Sequence, residues 1–173
     1  MISGTTRLLG VIGDPVAHSR SPRMQNAALQ ALGLNWAYVP LPVKAANLET
    51  VLRGLQAVGF VGVNVTVPHK EAVAQLVDEL RPTAQASGSV NTVIFAEDGR
   101  LIGDSTDGPA IAAAIASEIE ETYRGSVLVL GAGGSARAAA AALAQDGCAV
   151  QIYARRFEAA EALACGLASC GNV

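Results

Sequence analysis

Two short stretches near the end of this sequence have the shape of a nucleotide site. Gly131-Ala132-Gly133-Gly134-Ser135-Ala136 fits G-x-G-x-x-[GA] directly after an apolar run (127–130) and at the start of an Ala-rich segment. In that setting Gly131 permits a tight turn, Gly133 lets backbone approach a pyrophosphate, and Ala136 allows close helix–strand packing. The helix N-terminus offers free N–H groups to the phosphates. The alternative is a Gly-rich turn with no ligand. The next apolar run ends in Tyr153-Ala154-Arg155-Arg156, where an acidic residue would hold the ribose 2′-hydroxyl of NAD. Two guanidinium groups there suit a 2′-phosphate by charge and fork geometry, so the pattern predicts NADP. A solvated helix start is the other reading.

Three polar clusters earlier in the chain carry groups able to act on a small organic substrate. His18-Ser19-Arg20-Ser21-Pro22 offers two hydroxyls to an anionic group, although helix capping would also account for them. Asn64-Val65-Thr66-Val67-Pro68-His69-Lys70 ends in a lysine whose pKa burial and neighbours can adjust; a solvated first-turn lysine is the plainer reading. Lysine is scarce: only Lys44 and Lys70 among the 12 basic residues, the rest being arginines pinned in the charged state. The third cluster joins Ser89-Val90-Asn91-Thr92-Val93 to Asp104-Ser105-Thr106-Asp107. It adds an amide that both donates and accepts, and a carboxylate that would otherwise serve as a helix cap. Together these groups suit a small hydroxylated carboxylic acid. Beside a nicotinamide cofactor, alcohol–ketone hydride transfer is the economical chemistry.

The clusters need elements to hold them. The apolar run 8–12, closed by Gly13-Asp14-Pro15, predicts a buried strand. Ser21-Pro22 starts a helix with Ser21 as its expected N-cap, and Gly33 ends it. A strand is expected over 36–41, a helix over 48–58, a strand over 62–67 and a third helix over 71–80. Asp98-Gly99, between runs 90–95 and 100–103, is a hairpin signal. Asp107-Gly108-Pro109 opens another helix. Residues 127–130 have the length of a fully buried parallel strand, followed by helix 135–145, strand 149–153 and helix 157–168. Strands alternating with helices predict an α/β protein with mainly parallel sheet, and the last elements make about half of a dinucleotide fold.

Composition excludes several classes of function. With 173 residues, 51% of them hydrophobic, and a net charge of −3, the chain has ample apolar surface for a core and is not disordered as a whole. Its positive mean hydropathy comes from alanine: no apolar run reaches the roughly 18 residues needed to span a bilayer. The N-terminus lacks the basic-then-apolar build of a signal peptide, so a cytoplasmic protein without membrane contact is expected. Net acidity without a basic stretch argues against nucleic acid. Cys148, Cys165 and Cys170 show no C-x-x-C spacing and no nearby histidine, so neither a metal site nor a disulfide framework is expected. An unfinished sheet edge would favour association, which leaves a homodimer open.

At Gly13-Asp14-Pro15, His18-Ser19-Arg20-Ser21-Pro22, Asn64-Val65-Thr66-Val67-Pro68-His69-Lys70, Val90-Asn91-Thr92, Thr106-Asp107 and Gly131-Ala132-Gly133-Gly134, the sequence resembles the shikimate dehydrogenase family, which includes the quinate/shikimate dehydrogenases. The resemblance runs from about residue 8 to 168. It implies a substrate-binding and catalytic α/β sandwich over 1–107 and the first part of a Rossmann-type NADP-binding domain over 108–173. It also implies a reaction, the NADP-dependent interconversion of 3-dehydroshikimate and shikimate. Quinate/shikimate dehydrogenation of broader specificity and a substrate-binding fragment without turnover are the alternatives. Lys70 and Asp107 would be the catalytic pair. Ser19 and Ser21 would hold the substrate carboxylate, Thr66 and Asn91 its ring hydroxyls, and Arg155 the 2′-phosphate. The chain departs from the family pattern at Gln25-Asn26 (His-Asn), Ser105-Thr106-Asp107 (Asn-Thr-Asp) and Ala154-Arg155-Arg156 (Asn-Arg-Thr). It also lacks the family's C-terminal Gln-bearing helix, so a C-terminally shortened member is expected.

Overall fold

The computed structural model describes residues 2–119 and 124–168. The first apolar run forms β1 (Arg7–Gly13), which pairs in parallel with both β2 (Trp36–Pro42) and β3 (Phe60–Val65). Parallel neighbours need crossovers. Helix α1 (Ser21–Ala31) connects β1 to β2, and α2 (Leu48–Ala57) connects β2 to β3. Leu29 of α1 joins Val11, Val16 and Tyr38 in a buried cluster, with Leu9 and Trp36 packed against it. The expected N-cap shifts by one or two residues. Ser21 is the first helical residue, and the Ser19 hydroxyl accepts its N–H at 3.3 Å.

The helix expected over 71–80 is instead two elements, α3 (Lys70–Ala74) and β4 (Glu79–Leu80), and a further helix, α4 (Pro82–Ser87), follows. Asp78 is the reason. Its N–H donates to the Leu101 carbonyl, and its carboxylate accepts from the Leu101 N–H at 2.7 Å and from both Arg53 Nη atoms. These long-range bonds pull the chain out of the helix and onto a neighbouring strand. Pro82 then starts α4, and Gly88 ends it with φ of +60°. The Asp98-Gly99 turn joins β5 (Thr92–Phe95) to β6 (Leu101–Asp104), with the Ala96 N–H donating to the Arg100 carbonyl. β5 runs antiparallel to β3, and the sheet order is β2-β1-β3-β5-β6-β4.

The chain divides into two compact units, Met1–Glu79 with Asn91–Gly103, and Leu80–Val90 with Asp104–Val173. The second contains α5 (Asp107–Glu118), β7 (Ser126–Leu130), α6 (Gly134–Gln145), β8 (Ala149–Tyr153) and α7 (Phe157–Leu167), with β7 and β8 paired in parallel. Its core brings Ala140, Leu143 and Ala144 of α6 together with Leu163 and Leu167 of α7, and Val127, Val129, Val150 and Ile152 supply the strand face beneath. β7 is therefore not the fully buried strand its composition suggests. Both helices cover one face, and Leu128, Leu130 and Tyr153 are exposed. Cys148 is buried, Cys165 is exposed, and Cys170 lies outside the described residues. Among the described residues no helix is long and apolar enough to cross a membrane.

Candidate active site

In the first unit, the C-terminal ends of β1 and β3 are locked side by side. The Thr66 N–H donates to the Ile12 carbonyl at 2.9 Å, and the Asp14 N–H donates to the Val67 carbonyl at 3.1 Å. Gly13 makes this approach possible, because a Cβ there would stand 2.5 Å from Thr66 Cγ2. The loop bearing Ser19 and Ser21 and the loop bearing Thr66 and Lys70 thus leave adjacent strand ends. Asn91 joins them from the antiparallel side: the Val65 N–H donates to its carbonyl at 2.8 Å. Open α/β sheets collect ligands at such an edge. Asn91 is buried, while Ser19, Ser21, Thr66 and Lys70 are half-buried.

Lys70 is the first residue of α3, with His69 in the N-cap position. His69 is 1% exposed, and its Nε2 lies 2.6 Å from the Val43 carbonyl. A carbonyl can only accept, so Nε2 carries the proton. This ring anchors the turn that presents Lys70 to the residue following β2. The anchoring was not legible in the sequence, since its partner lies 26 residues away. Behind Asn91 lies a second feature of this kind. The Tyr38 hydroxyl donates to Asn64 Oδ1 at 2.7 Å, and Asn64 Nδ2 reaches the Asn91 carbonyl at 3.3 Å and Thr92 Oγ1 at 3.1 Å.

In the second unit, Asp107 is the first residue of α5, and Thr106 occupies the N-cap position. Asp107 is thus placed as a first-turn acid, favoured there by the helix dipole. The segment leading to it is held by Asp104. One carboxylate oxygen accepts from Thr83 Oγ1 at 2.5 Å and the Ser105 N–H at 2.7 Å, the other from Arg81 at 3.2 Å. Burial alone would raise the Asp104 pKa, but these three donors outweigh it and hold the group below its ordinary value. The next residue, Gly108, is buried against α6: a Cβ would stand 2.7 Å from the Ala138 carbonyl oxygen and 3.1 Å from Ala142 Cβ. Close packing therefore ties the helix that begins with Asp107 to the helix of the glycine motif.

That motif has the conformation its spacing predicts. Gly131 has φ of +123°, a value side-chain-bearing residues rarely adopt, and its N–H donates to the Tyr153 carbonyl at 2.8 Å. Gly133 precedes α6 in extended conformation, and a Cβ on it would project into open space. Gly131, Ala132, Gly133, Ala154, Arg155, Arg156 and Ala159 line one concavity of about 500 Å³. Six of the nine predicted cofactor residues thus share a wall of one site. Gly134, Ser135 and Ala136 form the first turn of α6 beside it. A bare backbone turn facing two exposed guanidinium groups fits a dinucleotide with a phosphorylated ribose.

Fold and site together define an α/β protein with a Rossmann-like unit and a second unit built on a mainly parallel sheet. Residues 11–93 match the family model described as the shikimate dehydrogenase substrate binding domain. Beyond those residues, most of the chain is similar to members of the shikimate dehydrogenase family. It is 52% identical over 163 residues to the shikimate dehydrogenase (NADP(+)) of Gluconobacter oxydans, covering 94% of this chain and 58% of that protein. A shikimate dehydrogenase crystallised in complex with NADP+ superposes with a TM-score of 0.91 at 44% identity, over 98% of this chain and 58% of that one. The Thermus thermophilus enzyme in complex with NADP(H) and shikimate gives 0.85 at 40% identity, over 94% and 61%. The chain thus spans a little over half the length of these relatives.

Proposed function

We propose that the protein takes part in NADP-dependent interconversion of 3-dehydroshikimate and shikimate, with residues 1–107 as the substrate-binding and catalytic part and 108–173 as the first part of the NADP-binding domain. The observation that carries this reading is the meeting of Ser19, Ser21, Thr66, Lys70 and Asn91 at one sheet edge of the first unit. The glycine turn facing Arg155 and Arg156 in the second unit supports the cofactor assignment. The Ser19 and Ser21 hydroxyls hold the substrate carboxylate, and Thr66 and Asn91 hold ring hydroxyls. Lys70 Nζ gives or takes the proton on the reacting oxygen, and Asp107 is the second member of the catalytic pair. NADP, when bound, supplies the hydride acceptor or donor. Proton transfer by such a positioned group contributes roughly 10²–10⁴-fold.

The test is NADPH formation followed at 340 nm with NADP+ and shikimate, with Lys70→Ala as control. Turnover that disappears in the control supports the reading. Calorimetry with shikimate separates binding without turnover from no recognition at all, and the second outcome refutes the substrate assignment. Quinate beside shikimate, and NAD+ beside NADP+, test the broader-specificity alternative suggested by Gln25, Ser105 and Ala154.

A further inference from the structure

The hydrogen bonds behind Asn91 have a direction. Tyr38 is 3% exposed, and burial pushes its phenol up to about 12, so its hydroxyl stays protonated and donates to Asn64 Oδ1. The opposite end of the Asn64 amide meets the Asn91 main-chain carbonyl, which can only accept, so that end is Nδ2. The same Nδ2 donates to Thr92 Oγ1, which sits directly across the β3–β5 pair from Asn64. Thr92 is left with one hydrogen, and it goes to Asn91 Oδ1 at 3.0 Å. The last link, the Thr92 hydroxyl donating to Asn91 Oδ1, holds the oxygen end of the Asn91 amide.

We propose that Tyr38, Asn64 and Thr92 are positioning residues that set the polarity of Asn91, so that Asn91 meets its ligand as a hydrogen-bond donor and selects an oxygen able to accept. The inference rests on the reading of Asn91 as a substrate contact. An unheld amide can turn over and present either end; this one is held by a relay whose far end is a buried phenol. The relay lies within the first unit, and Tyr38, Asn64 and Thr92 also line a small cavity of about 180 Å³ on the sheet, so none of the three depends on the cofactor unit.

The test uses the full chain and three variants: Thr92→Val, which keeps the shape and strand preference but removes the hydroxyl, Thr92→Ser, which keeps the hydroxyl, and Tyr38→Phe. Two quantities are read, the side-chain amide resonances of Asn91 in the ligand-free protein and the affinity for shikimate by calorimetry. Backbone amide spectra establish that each variant is folded. Thr92→Val should move or broaden the Asn91 amide pair and weaken shikimate about fivefold to tenfold, the worth of roughly one net hydrogen bond. Tyr38→Phe should do the same to a smaller degree, and Thr92→Ser should restore both quantities. A folded Thr92→Val with an unmoved amide pair overturns the relay. A moved pair with unchanged affinity overturns its role in recognition. Should the wild-type chain bind no shikimate, the substrate reading falls and takes the ligand half of the proposal with it, while the ligand-free amide signal still decides the relay.

Discussion

Replacing Gly108 by alanine should destabilise the protein, although the exchange normally favours a helix. At 2.7 Å from the Ala138 carbonyl oxygen, the new Cβ is inside any ordinary contact distance, and its second neighbour, Ala142 Cβ at 3.1 Å, is also tight. Both obstacles belong to α6, one of them to its backbone, so no side chain can rotate away. Restoring a contact of about 3.4 Å requires α5 and α6 to separate by about 0.7 Å. Overpacking of this kind costs about 1–3 kcal/mol. Helix preference returns at most about 1 kcal/mol, and less in a first turn. A net loss of about 1–2 kcal/mol lowers the melting temperature by about 2–8 °C for a chain of this size. Gly54 supplies the control: it is exposed within α2, and a Cβ there meets nothing within 4 Å. Gly54→Ala should therefore raise the melting temperature by about 1–4 °C. Thermal unfolding followed by circular dichroism distinguishes the two signs. A Gly108→Ala protein as stable as the wild type would refute the close approach of α5 to α6.

Other substitutions probe the remaining parts of the structure. Asp78 accepts from Arg53 first and from the Leu101 N–H second, which lowers its pKa to about 2. A depressed carboxylate stabilises the fold above its unfolded value of about 4, and that contribution disappears as pH falls from about 4 to about 2. With the two side chains 43% and 35% exposed, screening limits it to about 1 kcal/mol. Asp78→Asn should therefore be less stable than wild type in urea at pH 7 and equal to it near pH 2. Asn26 brackets the backbone of Tyr38 on the edge strand β2, donating to its carbonyl at 2.8 Å and accepting its N–H at 2.9 Å. Asn26→Ala should cost about 1–2 kcal/mol and uncover two backbone groups on that edge, which sedimentation velocity would detect as increased self-association. For Arg155→Ala with Arg156→Ala, weaker NADP+ binding is expected, by about tenfold or more, with NAD+ binding little changed; equal losses for both dinucleotides would remove the 2′-phosphate assignment.

How much of this was legible in the sequence depends on the range of the interactions. The glycine motif and its helix are local: the turn, the exposed N–H groups and the small residues at fixed offsets lie within six positions, and the structure reproduces them. The hairpin at Asp98-Gly99 is local too. The segment 71–80 is not. Its apolar spacing favours one helix, but Asp78 bonds to Arg53, 25 residues earlier, and to Leu101, 23 residues later, and those partners override local preference. The part that His69, Tyr38 and Asn64 play in holding the candidate site is hidden in the sequence for the same reason. Each is recognisable only once its partner strand is placed.

Gly13 and Gly108 show a different limit. In the sequence Gly13 falls in a turn signal with Asp14 and Pro15, and Gly108 stands between Asp107 and Pro109 at a helix start; neither pattern shows what the glycine is for. Neither has a positive φ; Gly33, Gly59, Gly88, Gly99, Gly131 and Gly147 do. What Gly13 and Gly108 supply is missing volume, 2.5 Å from Thr66 in one case and 2.7 Å from the Ala138 carbonyl in the other. One pins the loop of Ser19 and Ser21 against the loop of Thr66 and Lys70, and the other docks the start of α5, and with it Asp107, against the nucleotide helix. The two requirements part under mutation. At Gly131, with φ of +123°, any side chain is strained whatever the space, so even alanine should be poorly tolerated. At Gly108 the backbone accepts alanine and only the neighbouring helix rejects it, so tolerance should fall with side-chain size and be indifferent to left-handed preference.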